Sequence, residues 1–191
     1  MKSLLFLSIS LFLSSVALAE TRVSFSRDIT PSTLRNLEKD IVKAIKRMDP
    51  QDYPEVFIDL SSAGGDLNAA IRFVDRVSSL SSQHRVQIHT RVLYGSCDSA
   101  CTVLFTAGSR RIARSNSSFG FHSPQIASRV PRGTNRGEIL DRARVRWVDA
   151  ISRVDSRLAS ELERGGFLQG ENMRYFSGRD VYTGYVNELQ R

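Results

Sequence analysis

The sequence predicts an α/β domain in which short buried strands alternate with amphipathic helices. Apolar runs such as Val56 to Leu60 have the length and continuity of strands that are buried on both faces of a parallel sheet. Between these runs lie longer segments whose apolar residues recur every three or four positions, as on one face of a helix. Alternation of strand and helix along a chain is typical of parallel sheets with right-handed crossovers.

The first half of the chain contains three predicted strands and two predicted helices. In order they are a strand over 22–26, a helix over 31–48, a strand over 56–60, a helix over 67–80 and a strand over 86–93. The first helix opens with the capping residue Thr30 followed by a proline, and the second opens at Asp66, which is also a capping residue. Alternation in the third strand places His89 on its polar side, so we expect this histidine to be exposed to solvent.

The second half continues with a helix over 100–107, strands over 111–113 and 119–122, and a loop over 123–137. A long amphipathic helix is expected from about Glu138 to Arg164. Its apolar stripe consists of Leu140, Trp147, Ile151, Val154, Leu158 and Leu162. A stripe of this size needs burial, either against its own domain or against a partner subunit.

The first 19 residues have the pattern of a secretory signal peptide. Lys2 gives a positive start, Leu4 to Val16 is an apolar run interrupted only by serines, and 17–19 is an A-x-A cleavage site. A membrane anchor is the alternative, but a spanning helix needs about 20 apolar residues and this run is shorter. We therefore expect cleavage after Ala19, a single domain over 20–191, and a location in the periplasm or outside the cell.

The chain is basic, with 27 Lys and Arg residues, 20 Asp and Glu residues and a formal net charge of +7. Arginines cluster at 110–114, 129–136 and 142–146. Such clusters can bind nucleic acid, but no recognised nucleic-acid motif accompanies them, and an exported protein seldom meets nucleic acid. We interpret them as a solvated surface and expect no nucleic-acid partner.

The stretch from Gly95 to Pro124 contains a candidate nucleophile and a candidate base. Ser99 lies between a glycine-containing turn and an apolar helix, and His122 ends a later apolar strand. A serine becomes a good nucleophile when a base takes its proton, and imidazole exchanges protons readily near neutral pH. Taken singly, Ser99 could instead be a helix cap, as could Asp98, and His122 could be a histidine at the edge of the core.

Backbone donors for an oxyanion can be named as well. The segment Ser61 to Asp66 carries a glycine pair directly after the strand over 56–60. Glycines let N–H groups approach a ligand closely. Ala100 follows the candidate nucleophile at a helix start, where N–H groups lack helical acceptors and the helix dipole favours negative charge. We expect the N–H groups of Gly65 and Ala100 to form an oxyanion hole.

In the same order, these elements resemble those of the Clp protease proteolytic subunit, within the wider Clp/crotonase superfamily. Leu60 to Gly65 is similar to its strand-then-SPGG element, Gly95 to Ala100 to its nucleophile turn, and Phe121 to Pro124 to its hydrophobic-His-x-Pro element. Tyr175 to Val186 is similar to its terminal aromatic-Ser segment. The resemblance implies a Clp/crotonase-like spiral of β-β-α units, serine hydrolase chemistry, and a homo-oligomer in which the long helix takes part in ring assembly.

The third member of the triad is where the sequence departs from the family pattern. The peptidase has an aspartate shortly before its aromatic-Ser segment, and here Asn172 or Met173 falls at that place. Asparagine can orient an imidazole but cannot stabilise its cation, and Asp→Asn in a serine triad costs about 10⁴ in kcat. Glu171 would substitute if the loop turns, and Asp180 is a more distant candidate. A Ser–Lys dyad, as in signal peptide peptidases of the superfamily, is excluded because no lysine follows Lys46.

Two cysteines, Cys97 and Cys101, flank the candidate nucleophile. In an oxidising compartment they can form a disulfide. In a regular helix their Cβ atoms would be about 5–6 Å apart, wider than a disulfide tolerates, so a bridge requires Cys97 to lie in the turn before the helix. Two buried free thiols are the alternative. Two sulfurs without a nearby histidine are half a zinc site, so we expect neither a metal nor another cofactor.

Together these observations predict an exported serine hydrolase that acts on peptides or unfolded polypeptides. Exported compartments lack ATP, so no ATP-driven unfoldase is expected as a partner. The alternative is a non-catalytic binding or assembly module of the Clp/crotonase fold. An acyl-CoA enzyme is a third interpretation, but export away from the coenzyme A pool argues against it.

Overall fold

The computed structural model describes residues 20–48, 54–126, 133, 135–170 and 172–190, so the predicted signal peptide lies outside the described residues. Its strands are β1 (Thr21–Phe25), β2 (Glu55–Leu60), β3 (Gln87–Val92), β4 (Ser96–Asp98), β5 (Arg111–Arg114), β6 (Ser118–Phe121), β7 (Arg174–Ser177) and β8 (Glu188–Gln190). Its helices are α1 (Pro31–Ile45), α2 (Leu67–His84), α3 (Ala100–Phe105), α4 (Arg136–Ser152) and α5 (Ser156–Arg164). The predicted α/β fold is confirmed. None of the helices within the described ranges is long and apolar enough to cross a membrane.

The strands form two sheets. Five parallel strands make the larger sheet, in the order β1-β2-β3-β5-β8. The smaller sheet has β6 at its centre, with β4 parallel on one side and β7 antiparallel on the other. The two sheets are linked where the chain leaves β2, because Ser62 donates to the Ser96 carbonyl at 3.0 Å and accepts from the Asp98 N–H at 2.9 Å. This link places the glycine pair that follows β2 next to the end of β4.

One face of the larger sheet carries the apolar core. Its helices bury the stripes that their periodicity predicts, and β2 contributes every second residue to the same cluster. The main members are Val56, Ile58, Leu60, Leu34, Leu37, Ile41, Phe73, Val77 and Leu80. All six residues of α3 are buried, which makes this short helix the centre of the domain. Ser99, the residue that precedes α3, is therefore attached directly to a buried helix.

The opposite face of the larger sheet corrects the prediction for His89, whose side chain is fully buried. Its ring packs on Phe57 with 4.8 Å between the centroids, and its Nδ1 accepts from the Arg110 N–H at 3.2 Å. Burial lowers the pKa of His89, and the nearby Glu55 only partly opposes this. The prediction was wrong because long charged side chains cover this face: Arg91, itself buried, lies over the Phe57 ring at 4.6 Å.

The single helix expected from about Glu138 to Arg164 is divided into α4 and α5. The division lies at Asp155, which has an extended backbone and caps α5 by accepting from the Leu158 N–H at 2.9 Å. Its second carboxylate oxygen accepts from Gly184 and Tyr185 N–H groups, both at 3.0 Å. Contacts with a distant segment therefore break a helix whose apolar stripe continues. The centre of that stripe is buried within this chain, at Trp147, Ile151, Leu158 and Leu162.

Candidate active site

Ser99 occupies the turn between β4 and α3 with φ 55° and ψ −128°. A residue other than glycine rarely adopts a positive φ, and such a conformation costs about 1–3 kcal/mol unless its surroundings hold it in place. The Ser99 N–H donates to the Gly120 carbonyl at 2.8 Å, and its own carbonyl accepts from the Thr102 N–H at 2.9 Å. Its half-buried hydroxyl makes no capping hydrogen bond to α3, whose residues are all described. The helix-cap interpretation of Ser99 therefore has no support in this geometry.

A covalent link closes the turn around Ser99. The Sγ atoms of Cys97 and Cys101 are 2.05 Å apart, and both residues are fully buried. The pair can join because Cys97 belongs to β4 and only Cys101 to α3. The disulfide ties the end of the strand to the first turn of the helix and leaves Ser99 between the two linked residues.

The glycine pair after β2 lies against this turn. Gly64 has φ +101°, and a Cβ at this position would lie 2.6 Å from Ser99 Cβ, 2.7 Å from the Asp98 oxygen and 3.0 Å from the Ala100 nitrogen. Gly65 has φ +138° and faces the backbone of Ile29. The Ile29 N–H donates to the Gly64 carbonyl at 2.7 Å, which fixes the loop from its other side.

This packing bears on the predicted oxyanion hole. Ala100 is the first residue of α3, so its N–H has no acceptor within the helix. Gly64 is the glycine that contacts the serine turn, and Gly65 follows directly behind it. The assignment of the Gly65 and Ala100 N–H groups as oxyanion donors stays a prediction.

His122 reaches the same edge of the small sheet as Ser99. In the parallel pairing of β4 with β6, Asp98 is opposite Gly120, so Ser99 and His122 each follow the carboxyl end of their strand. Neighbouring strands are about 4.8 Å apart. The half-buried His122 ring meets the Trp147 ring edge to face, with 5.8 Å between the centroids. Its Nδ1 is buried and has no hydrogen-bond partner among the described residues.

The loop that would carry the third triad member runs past His122. Ser123, the next residue, donates from its N–H to the Gly170 carbonyl at 2.9 Å. Asn172 on this loop is exposed, and Glu171 lies outside the described residues. Met173 stands one position beyond the last β6–β7 pair, Phe121 with Arg174, and so falls opposite His122. A thioether cannot replace a carboxylate there.

Two other acidic residues have different surroundings. Asp180, the distant candidate, accepts from the Ser177 N–H at 2.8 Å and the Ser177 hydroxyl at 2.7 Å, and these bonds lower its pKa. Asp180 therefore stabilises the turn after β7. Asp98, considered from the sequence only as a helix cap, is buried at 9 % exposure and accepts from the Ser96 hydroxyl at 2.7 Å. Its position on β4 escaped the sequence analysis because three residues give no periodic signal.

The described residues do not include a cluster of potential metal ligands. Across the residues that the structure describes, no three His, Cys, Asp or Glu side chains are grouped so that they could hold a metal ion.

Comparison with solved structures supports the fold. The crystal structure of the ClpP protease catalytic domain from Plasmodium falciparum superposes with a TM-score of 0.64 over 89% of this chain and 84% of that chain, at 15% sequence identity. No protein-family model and no curated protein sequence matches the chain. The chain therefore has a fold similar to that of the ClpP catalytic domain.

Proposed function

We propose that this chain is a serine hydrolase that acts on peptides or unfolded polypeptides, with Ser99 as nucleophile and His122 as general base. The observation that carries the proposal is the Ser99 turn, where a positive φ is held by a disulfide, a glycine contact and a buried helix. Strain that surrounding contacts maintain is typical of functional positions. The turn lies beside His122, at the shared edge of two parallel strands.

The chemistry follows the general scheme of acyl transfer. His122 takes the Ser99 hydroxyl proton as Oγ bonds to the carbonyl carbon of the substrate, and the carbonyl oxygen becomes an oxyanion. The Gly65 and Ala100 N–H groups stabilise that oxyanion, and one such donor contributes about 2.7–4 kcal/mol in other enzymes. The imidazolium then gives its proton to the leaving group. Water hydrolyses the acyl-enzyme by the same steps with His122 again as base.

The wider setting belongs to the same proposal. The signal-peptide pattern supports export, with cleavage after Ala19 and a location in the periplasm or outside the cell. The fold supports assembly into a homo-oligomer, by analogy with the ring-forming family that the sequence resembles. In a compartment without ATP the enzyme acts without an ATP-driven unfoldase.

A second candidate function is a non-catalytic binding or assembly module. The observation that favours it is the loop opposite His122, where Met173 stands and Asn172 is exposed. Such a module would retain the Ser99 turn but would not catalyse hydrolysis.

Labelling with a fluorophosphonate probe tests the proposal. The purified protein should be labelled at Ser99, and Ser99→Ala and His122→Ala should each abolish labelling. Ser79→Ala, which changes an exposed serine on α2, is the matched control and should label like the parent. A parent protein that resists the probe would favour the binding module, and labelling that survives both active-site changes would refute the assignment of the site.

A further inference from the structure

The carboxylate of Asp98 is buried beside the site with one of its oxygens unused. Its Oδ2 accepts from the Ser96 hydroxyl at 2.7 Å, whereas its Oδ1 is buried and has no hydrogen-bond partner within the described part of the chain. A buried charge without full compensation is costly, so its presence calls for a reason beyond stability.

Strand register places this carboxylate on the same face of the small sheet as His122. Asp98 is opposite Gly120, and His122 is the residue directly after β6, two positions beyond Gly120. With the alternation of β6 continued by one residue, Gly120 and His122 point to the side that Asp98 occupies. Asp98 and His122 are thus diagonal neighbours, a relation in which Cα atoms are about 7–8 Å apart and longer side chains can meet.

Gly120 makes room for the Asp98 carboxylate and the Met173 thioether. A Cβ at this position would lie 2.6 Å from Asp98 Oδ1 and 2.7 Å from Met173 Sδ. The carboxylate therefore leans over the glycine backbone, and a larger residue at position 120 would displace it. No side chain of β6 separates the carboxylate from His122.

Both groups present buried polar atoms that have no hydrogen-bond partner among the described residues, each other included. They are Oδ1 of Asp98 and Nδ1 of His122. The nitrogen is the one that an acid holds in a serine triad when the other imidazole nitrogen faces the nucleophile. From the opposite side of β6, Met173 offers no charge, and Asn172 is exposed.

We propose that Asp98 is the positioning residue for His122, so that the acid of the triad comes from the strand before the nucleophile. This inference rests on the proposed function of Ser99 and His122. When His122 takes the Ser99 proton, a positive charge develops on the imidazole, and the buried carboxylate across Gly120 stabilises it and restrains the ring. In a serine triad the acid orients and stabilises the imidazolium and does not itself take the proton.

The test is steady-state hydrolysis of p-nitrophenyl acetate, together with the rate of fluorophosphonate labelling, by the full mature chain. Asp98→Asn should lower kcat by up to about 10⁴ with KM unchanged, the loss that Asp→Asn gives in a serine triad elsewhere. Asp98→Glu keeps the charge and should stay within about tenfold of the parent. Asp141→Asn, an exposed change on α4, should match the parent. Thermal melting of each variant reports folding.

A rescue experiment moves the carboxylate to another position beside His122. In the Asp98→Asn background, Met173→Asp places a carboxylate opposite His122, on the residue directly before β7, and should restore kcat at least tenfold. A parent kcat in Asp98→Asn, equal losses in Asp98→Asn and Asp98→Glu, or no rescue by Met173→Asp would each overturn the inference while labelling of Ser99 keeps the proposed function. A parent that is neither labelled nor active would overturn both.

Discussion

Two buried aspartates serve this molecule in opposite ways. Asp155, between α4 and α5, accepts from the N–H groups of Leu158, Gly184 and Tyr185 and from the Thr183 hydroxyl. Asp98, on β4, accepts from the Ser96 hydroxyl and has an oxygen without a partner among the described residues. Their exposures are similar, at 7% and 9%.

A structural carboxylate can be separated from a functional candidate by the hydrogen bonds that its oxygens accept. Burial alone does not distinguish them, but the use of their oxygens does. At Asp155 the donors are mostly backbone groups of two segments, so the carboxylate joins those segments. At Asp98 an oxygen remains available on the face that His122 shares, which is the arrangement that a catalytic charge requires.

The largest expected effect is on stability and falls at Asp155. Asp155→Asn removes the charge from four hydrogen bonds and turns one acceptor into a donor that faces backbone N–H groups. We expect the free energy of unfolding to fall by about 3 kcal/mol, since hydrogen bonds to buried charges are among the strong ones. Asp98→Asn should change it by less than about 1 kcal/mol, because only one donor depends on the carboxylate.

Urea unfolding followed by circular dichroism at pH 7 measures both variants. Asp149→Asn, a change on the exposed surface of α4, is the control for charge alone. Equal losses at positions 98 and 155 would remove the distinction between the two aspartates.

The sequence predicted the larger sheet well except for its last strand. The continuous apolar run of β2 and the helical periodicity of α1 and α2 are set by burial in one core, so the pattern within each segment was sufficient. Of the strands with three or four residues, β5 and β6 were predicted, whereas β4, β7 and β8 were not. A strand this short exists because of its partners, and its partners lie far away in the sequence.

The candidate site shows the same limit. The order of the motifs brought Ser99 and His122 together as candidates, and the register of β4 with β6 places them at one edge. Without β4, the face that Asp98 occupies cannot be known from the sequence, which instead predicts the third triad member in the loop with Asn172. The break between α4 and α5 at Asp155 was missed for a related reason, since the hydrogen-bond donors at 183–185 lie 28–30 residues further along the chain.

A pair of glycines gives the next effect. Gly184 lies beside Asp155, and a Cβ there would lie 2.6 Å from the Val154 carbonyl oxygen, which is backbone and cannot yield. At Gly120 the nearest atoms are the ends of the Asp98 and Met173 side chains, which can move. We expect Gly184→Ala to cost about 2 kcal/mol of stability, in the range of overpacking, and Gly120→Ala below about 1 kcal/mol.

Activity should respond in the reverse order. Gly120→Ala moves the Asp98 carboxylate and should slow fluorophosphonate labelling, whereas Gly184→Ala should label like the parent at temperatures where it is folded. Gly170→Ala, whose added Cβ meets no atom of the described, non-adjacent residues within 4 Å, is the control for both measurements. Loss of labelling in Gly184→Ala with normal rates in Gly120→Ala would reverse the roles that we assign to the two regions.

The smallest expected effect is on the loss of stability as the pH falls, called here the acid limb. It distinguishes Asp155, whose two carboxylate oxygens both accept hydrogen bonds, from Asp98. Burial opposes ionisation of Asp155, but hydrogen bonds from Thr183 and from the Leu158, Tyr185 and Gly184 N–H groups outweigh it and lower its pKa. A carboxyl whose pKa is lower in the folded state stabilises the fold above its unfolded pKa, about 4, and this stability is lost as the pH falls through the folded pKa. Urea unfolding between pH 7 and pH 2 should therefore show a shallower acid limb in Asp155→Asn than in the parent. Burial also opposes ionisation of Glu20, but hydrogen bonds from Arg91 and Arg22 outweigh it and lower its pKa. Glu20 therefore keeps part of the pH dependence of stability in the variant. Parallel acid limbs would mean that the bonds at Asp155 do not favour its charged form, and the contrast with Asp98 would then rest on geometry alone.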